Sequence, residues 1–304
     1  MSVLLALLPL LAQVGPFSTT PGAARSTPVE QGVQRRPTWT VQPPAPAAAQ
    51  ASPPAAGTSR GKACLAEVDE DADAAVDLAQ AWLTSGAKGA GEAAEANLCL
   101  GLAQSRLGDW TEAAKAFLAG RDAAGADRLL RARLGAMAGN AALASGAADQ
   151  ALAALDGARS DAAALADPAL ATDIALDRAR ALVGLKRLDE AGAALAEARS
   201  ASPGNAEAWL LSATLSRRQG QLAGAQEQIL RAAELRPIDP AIGLEAGVIA
   251  VFSGHEAAAR KSWQSVIAAA PESPEAETAR GYLAQLGPAP AGSPQTASPT
   301  GGGR

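Results

Sequence analysis

The chain has 304 residues, 48% of them apolar but only 3% aromatic, and a formal net charge of −5. A chain this long can bury a sizeable core, and its abundance of alanine means a core of small side chains between closely packed helices, so an all-α fold is predicted. The flanks hold six of the 26 bases (Arg25, Arg35, Arg36, Arg60, Lys62 and Arg304) and one of the 31 acids, Glu30, which leaves −10 on residues 64–287. That balance repels phosphate backbones and anionic headgroups and argues against nucleic acid or a membrane surface as the main partner.

Val3 to Val14 is an apolar run interrupted by Pro9 and Gln13, well short of the roughly 20 residues that span a bilayer as a helix. It reads as the core of a signal peptide covering residues 1–15, so a periplasmic or secreted protein without an integral membrane span is expected. No Lys or Arg precedes the run, and Leu10 with Ala12 make a poor small-residue cleavage site, which keeps a cytoplasmic location as the alternative. Residues 16–62 hold nine prolines among Ala, Ser, Thr, Gln and Gly. They carry too little bulky apolar surface to offset the entropy of ordering, and a disordered linker is predicted. Its one basic and aromatic island is Arg35, Arg36, Pro37, Thr38, Trp39, Thr40 and Val41, either a docking motif or plain linker.

Residues 63–287 are expected to form one helical array. Over residues 64–92, Asp71 or Asp73 is placed to cap a helix running through Ala75, Leu78, Ala79 and Trp82. Beyond it the sequence repeats. Pro203, Pro237 and Pro271 are 34 apart, as are Lys186, Gly220 and Gly254, and Ala191, Ala225 and Ala259. Three position classes in one register mark a stack of supersecondary units. Residues 274–286, with Glu275, Glu277 and Arg280 outward and Ala279, Tyr282, Leu283 and Leu286 inward, read as a closing helix. Residues 288–304 return to Pro, Gly, Ser and Ala, a short disordered tail.

With repeats beginning at Ala94, Ala132, Thr172, Ala206 and Pro240, position 8 is Gly101, Gly139, Ala179, Ala213 and Gly247. Position 20 is Ala113, Ala151, Ala191, Ala225 and Ala259, and position 24 is Phe117, Leu155, Leu195, Ile229 and Trp263. This pattern resembles the tetratricopeptide-repeat (TPR) family, whose repeats are pairs of antiparallel helices, A and B, stacked into a solenoid. The resemblance implies close approach of helices A and B near positions 8 and 20. It also implies tight turns at Gly108, Gly146, Lys186, Gly220 and Gly254, and an incomplete leading repeat over residues 64–92. Spacings of 38 and 40 residues before repeats two and three suggest longer connections there. Trp at position 4 occurs only as Trp209, and the family's Tyr at position 11 is absent from all five repeats.

No constellation for catalysis is found, and the chain is not expected to be an enzyme or to need a cofactor. His255, the single histidine, falls in a turn and has no partner for a Ser-His-Asp or Cys-His arrangement. Asp69, Asp71 and Asp73 alternate as in a calcium loop, but its glycine is replaced by Ala74 and its closing glutamate by Gln80, so a helix start is the better reading and no metal site is expected. Gly184 to Leu188 and Gly86 to Gly91 are turns, unlike phosphate-binding loops. Cys64 and Cys99 are expected to form a disulfide if the protein is exported, and are otherwise two small buried hydrophobes.

The resemblance also implies a concave face formed by the A helices. The family's ligand-facing positions fall here on Arg106, Arg133, Asn140, Arg180, Thr214, Arg217 and Arg218, with Leu176, Leu210 and Leu244 as apolar anchors. Several arginines in one groove suit an acidic peptide or a terminal carboxylate; internal pairing with neighbouring Asp and Glu is the competing account. The function expected is therefore that of an exported bacterial adaptor binding a protein segment. A cytoplasmic co-chaperone and the regulatory subunit of an enzyme complex are the alternatives.

Overall fold

A computed structural model describes residues 59–87 and 89–287; the apolar run, the linker to residue 58, with its basic and aromatic island, and the tail from residue 288 lie outside them. The described residues contain thirteen α-helices and no strand. They divide into two compact units, one ending at Ala208 and the other beginning at Trp209.

The first unit opens with α1 (Ser59–Glu70) and α2 (Ala72–Thr84). Three hairpins follow, α3 (Ala90–Leu107) with α4 (Trp110–Ala123), α5 (Arg128–Ala144) with α6 (Ala148–Ala162), and α7 (Pro168–Gly184) with α8 (Leu188–Ala201). Each helix from α2 to α7 packs on the next, and α1 packs on both α2 and α3. The first turn of α9 (Ala206–Arg218) completes the unit. The second unit holds the rest of α9, then α10 (Leu222–Leu235), α11 (Pro240–Phe252), α12 (Glu256–Ala269) and α13 (Pro274–Leu286). There α10 packs on α11, and α13 packs on both α11 and α12.

Two local devices cut the chain into helices. Asp71, Asp127, Asp167, Asp239 and Ser273 cap α2, α5, α7, α11 and α13, each side chain accepting a backbone N–H of the first turn at 2.9–3.1 Å. The turn inside each of the five hairpins places one residue in the left-handed region: Gly108, Gly146, Lys186, Gly220 or Gly254. In every one the next N–H reaches back five residues to a helix carbonyl, as from Asp109 to Gln104 at 2.8 Å and from Arg187 to Leu182 at 2.9 Å. Lys186 is the non-glycine among the described residues that adopts a positive φ, 61°.

Position 8 is small because position 24 lies on it. A Cβ added to Gly101 falls 2.5 Å from the Phe117 ring, and one at Gly139 or Gly247 collides with Leu155 or Trp263. The side chain that fills the space over position 8 is that of position 24, reaching from helix B over helix A, while the alanines of position 20 are fully buried. Trp263 is held there by a 3.0 Å hydrogen bond from its Nε1 to the Leu244 carbonyl and by the Tyr282 ring, 5.0 Å away.

The longer spacings before repeats two and three do not make long loops. Helix α5 and helix α7 have 17 residues against 13 in α9 and α11, so four of the extra residues are added as one more turn at the start of helix A. One turn is 3.6 residues, which keeps the apolar face nearly in phase. Two other expectations change near the start. Residues 59–62 belong to α1 rather than to the linker, and of the two candidate caps it is Asp71 that starts α2, which buries Ala75, Ala79 and Trp82 and leaves Leu78 exposed.

Candidate interaction surface

In the first unit the A helices α3, α5 and α7 carry the predicted contact residues. Arg106 is exposed and lies 3.4 Å from Asp69, and Arg133 on α5 is exposed. Asn140 donates from Nδ2 to Asp177 Oδ2 at 3.4 Å. Arg180 reaches Asp177 Oδ1 at 2.6 Å with one guanidinium nitrogen and Glu207 with the other. Leu176 is buried in the core and presents no anchor to solvent.

These contacts join three successive A helices through polar side chains. Asn140 of α5 meets Asp177 of α7, and Arg180 of α7 meets Glu207 in the first turn of α9. Burial pushes the Asp177 carboxyl up, against the pull of Arg180. Asp173, one turn before Asp177, reaches solvent, yet the crowding of chain around it and then the charges of Asp177, Glu207 and Asp167 push it up to about 6.

In the second unit the expectation of a solvent-facing arginine fails at Arg217. Its Nε donates to Glu245 Oε1 at 2.5 Å and a terminal nitrogen to Oε2 at 3.2 Å, and the two side chains are 2% and 5% exposed. Its guanidinium carbon also lies 5.6 Å from the centre of the Phe252 ring. The reason is geometric: position 12 of repeat four faces position 6 of repeat five across the helix contact, and a long side chain there is committed to the interior. Thr214 is buried too and donates to the Leu210 carbonyl at 3.1 Å. Arg218 is exposed, its pKa lowered by partial burial and by the charge of Arg217. Leu210 is buried, and Leu244 is half-buried against the core around Trp263.

Sequence reading missed the carboxylates that these side chains meet: Asp177 and Glu207, with Asp173 near them, in the first unit, and Glu245 in the interior of the second. A signal for two of them was present. Asp173 and Glu207 stand at position 2 of their repeats, one of the positions that face ligand in the tetratricopeptide-repeat family. His255 lies on the rim of an open hollow of about 530 Å³ between α10, α11 and α12, lined also by Gln226, Ala250, Ser253 and Ser262. At the other end of the chain the structure joins Cys64 of α1 to Cys99 of α3 in a disulfide, their Cα atoms 6.1 Å apart. Among the described residues no group of His, Cys, Asp and Glu is arranged to hold a metal ion, and no helix is long and apolar enough to cross a membrane.

No family model and no curated protein matches the chain. Solved structures do. PilF of Pseudomonas aeruginosa is 12% identical with a TM-score of 0.56, covering 74% of this chain and 96% of its own. PilW, described as a widely conserved type IV pilus biogenesis factor, is 18% identical with a TM-score of 0.56, covering 73% and 98%. A tetratricopeptide-repeat protein from Parabacteroides merdae is 16% identical with a TM-score of 0.54, covering 65% and 75%. The paired helices, the left-handed turns, the packing of position 24 on position 8 and these likenesses agree: the chain has the fold of a tetratricopeptide-repeat solenoid.

Proposed function

We propose that the protein is a non-catalytic scaffold that holds a segment of a partner protein against the helix-A face of its first unit, in an oxidising compartment outside the cytoplasm. The observation that carries this reading is the set of polar side chains shared between successive A helices: Asn140, Asp177, Arg180 and Glu207. Because they hold one another, the face is preorganised and loses little rotamer entropy on binding. Exposed Arg133, and Arg106 in its exposed and weak pair with Asp69, add guanidinium groups for an acidic stretch of the partner. Arg180 and Arg217 are already paired within the chain, so the partner's carboxylates meet fewer cations than the sequence alone suggests. The disulfide supports the choice of compartment.

Partner affinity compared between wild type and Arg106→Ala/Arg133→Ala at two salt concentrations tests the acidic-segment reading. Weaker binding by the variant and loss of affinity with salt are expected. Equal affinities in all four conditions contradict it. N-terminal sequencing of the cellular protein tests export separately, where an intact Met1 or Ser2 is the contrary result.

A further inference from the structure

Helix α1 is disfavoured by its own sequence. It has 12 residues, near the length at which isolated helices are marginal in water even when alanine-rich, and it includes Gly61. Arg60 and Lys62 stand in its first turn and Asp69 and Glu70 in its last, each opposing the helix dipole. Tertiary contacts therefore have to hold it. Yet of its described side chains only that of Cys64 is buried. Val68 is half-buried against the small cluster of Cys64, Ala79 and Cys99, while Leu65 is exposed. The ion pair of Asp69 with Arg106 is exposed and contributes little.

We propose that α1 is a redox latch: the Cys64–Cys99 disulfide holds it on α2 and α3, and reduction releases it while the hairpins from α5 onward stay folded. The reductant is a dithiol. One of its thiolates attacks the sulfur of Cys64 or Cys99, forming a mixed disulfide and expelling the other sulfur as a thiolate, and its second thiol then resolves the mixed disulfide. The dithiol gives up two electrons and two protons and ends as a disulfide; Cys64 and Cys99 end as thiols. The two cysteines are 3% and 0% exposed, so attack waits for α1 to fray around the intact bond. Because α1 is the weakly held element, that opening is local and does not require the unit to unfold. Release uncovers Ala79, Cys99 and Leu100, a small apolar patch with a thiol at its centre.

Hydrogen exchange followed by mass spectrometry on the full chain tests this in three forms: oxidised, reduced with dithiothreitol, and Cys64→Ser/Cys99→Ser. Amides of residues 62–70 are expected to exchange on the order of 100-fold faster in the second and third forms than in the first, with α5 to α8 unchanged. In the reduced protein, Arg60→Glu with Glu70→Lys, which restores the favourable dipole order, is expected to slow α1 exchange several-fold. Full protection of α1 after reduction overturns the latch. So does a loss of protection that spreads through α5 to α8, or a charge exchange without effect.

Discussion

Arg217 and Glu245, 28 residues apart in sequence, form a two-pronged ion pair in the interior of the second unit. Burial pushes the glutamate's pKa up and the guanidinium opposes this. Such a pair contributes little net stability compared with apolar side chains of the same volume, but half of it is costly to leave behind. Arg217→Met is expected to destabilise the protein by about 3–5 kcal/mol, and Arg217→Met/Glu245→Leu by far less. Denaturant unfolding of the two variants checks this; equal losses would show that the pair is not what those residues supply.

The overlap of position 24 on position 8 predicts opposite signs at two glycines of the second unit. Gly247→Leu must displace Trp263 and is expected to cost roughly 1–3 kcal/mol or more. Gly224 lies within α10 and has open space where a Cβ would go, so Gly224→Ala is expected to stabilise by about 0.5–1 kcal/mol. Melting temperatures moving in the same direction would place the helix contact elsewhere.

Lys186 holds a left-handed conformation that the other four hairpins give to glycine. Lys186→Gly is expected to raise stability by about 1 kcal/mol, and Gly220→Lys to lower it by a similar amount. A destabilised Lys186→Gly would contradict the assigned turn.

Asp173 supplies a pH test. Its folded pKa is raised from 3.8 to about 6, so the folded state holds the proton more tightly than the unfolded chain. Its contribution is fully present below the unfolded pKa and is lost as pH rises from 3.8 through about 6. Asp173→Asn is therefore expected to gain stability relative to wild type at pH 7 compared with pH 4. Unfolding measured at both values tests this; the same difference at each would dissociate Asp173 from its carboxylate neighbours.

Much of the fold was legible because a few positions carry it: the glycine turns, the prolines 34 apart, and the small residues at position 8. Helix α1 was not, because residues 59–62 read Ser-Arg-Gly-Lys, with charges opposed to a helix start and nothing apolar to bury. The extra residues before repeats two and three read as loops in the sequence because a helix lengthened by one turn preserves the pattern downstream. The candidate surface was legible in position but not in charge. Arg180 and Arg217 were visible at inward-facing positions. Their partners Glu207 and Glu245 lie one repeat away, and a pairing of that kind follows from the stacking geometry rather than from neighbours in sequence.

The most direct test of the scaffold reading asks which face of the first unit a partner occupies. A photo-cross-linking residue is placed in turn at Arg133 and Asn140 on helix A of the second repeat, and at Gln150 and Ser160 on its helix B, where both side chains are exposed. One discrete adduct of the same mass is expected at 133 and 140, lost on adding unlabelled protein, and none at 150 or 160. Adducts at 150 and 160 in place of 133 and 140, or equal labelling at all four, would contradict it.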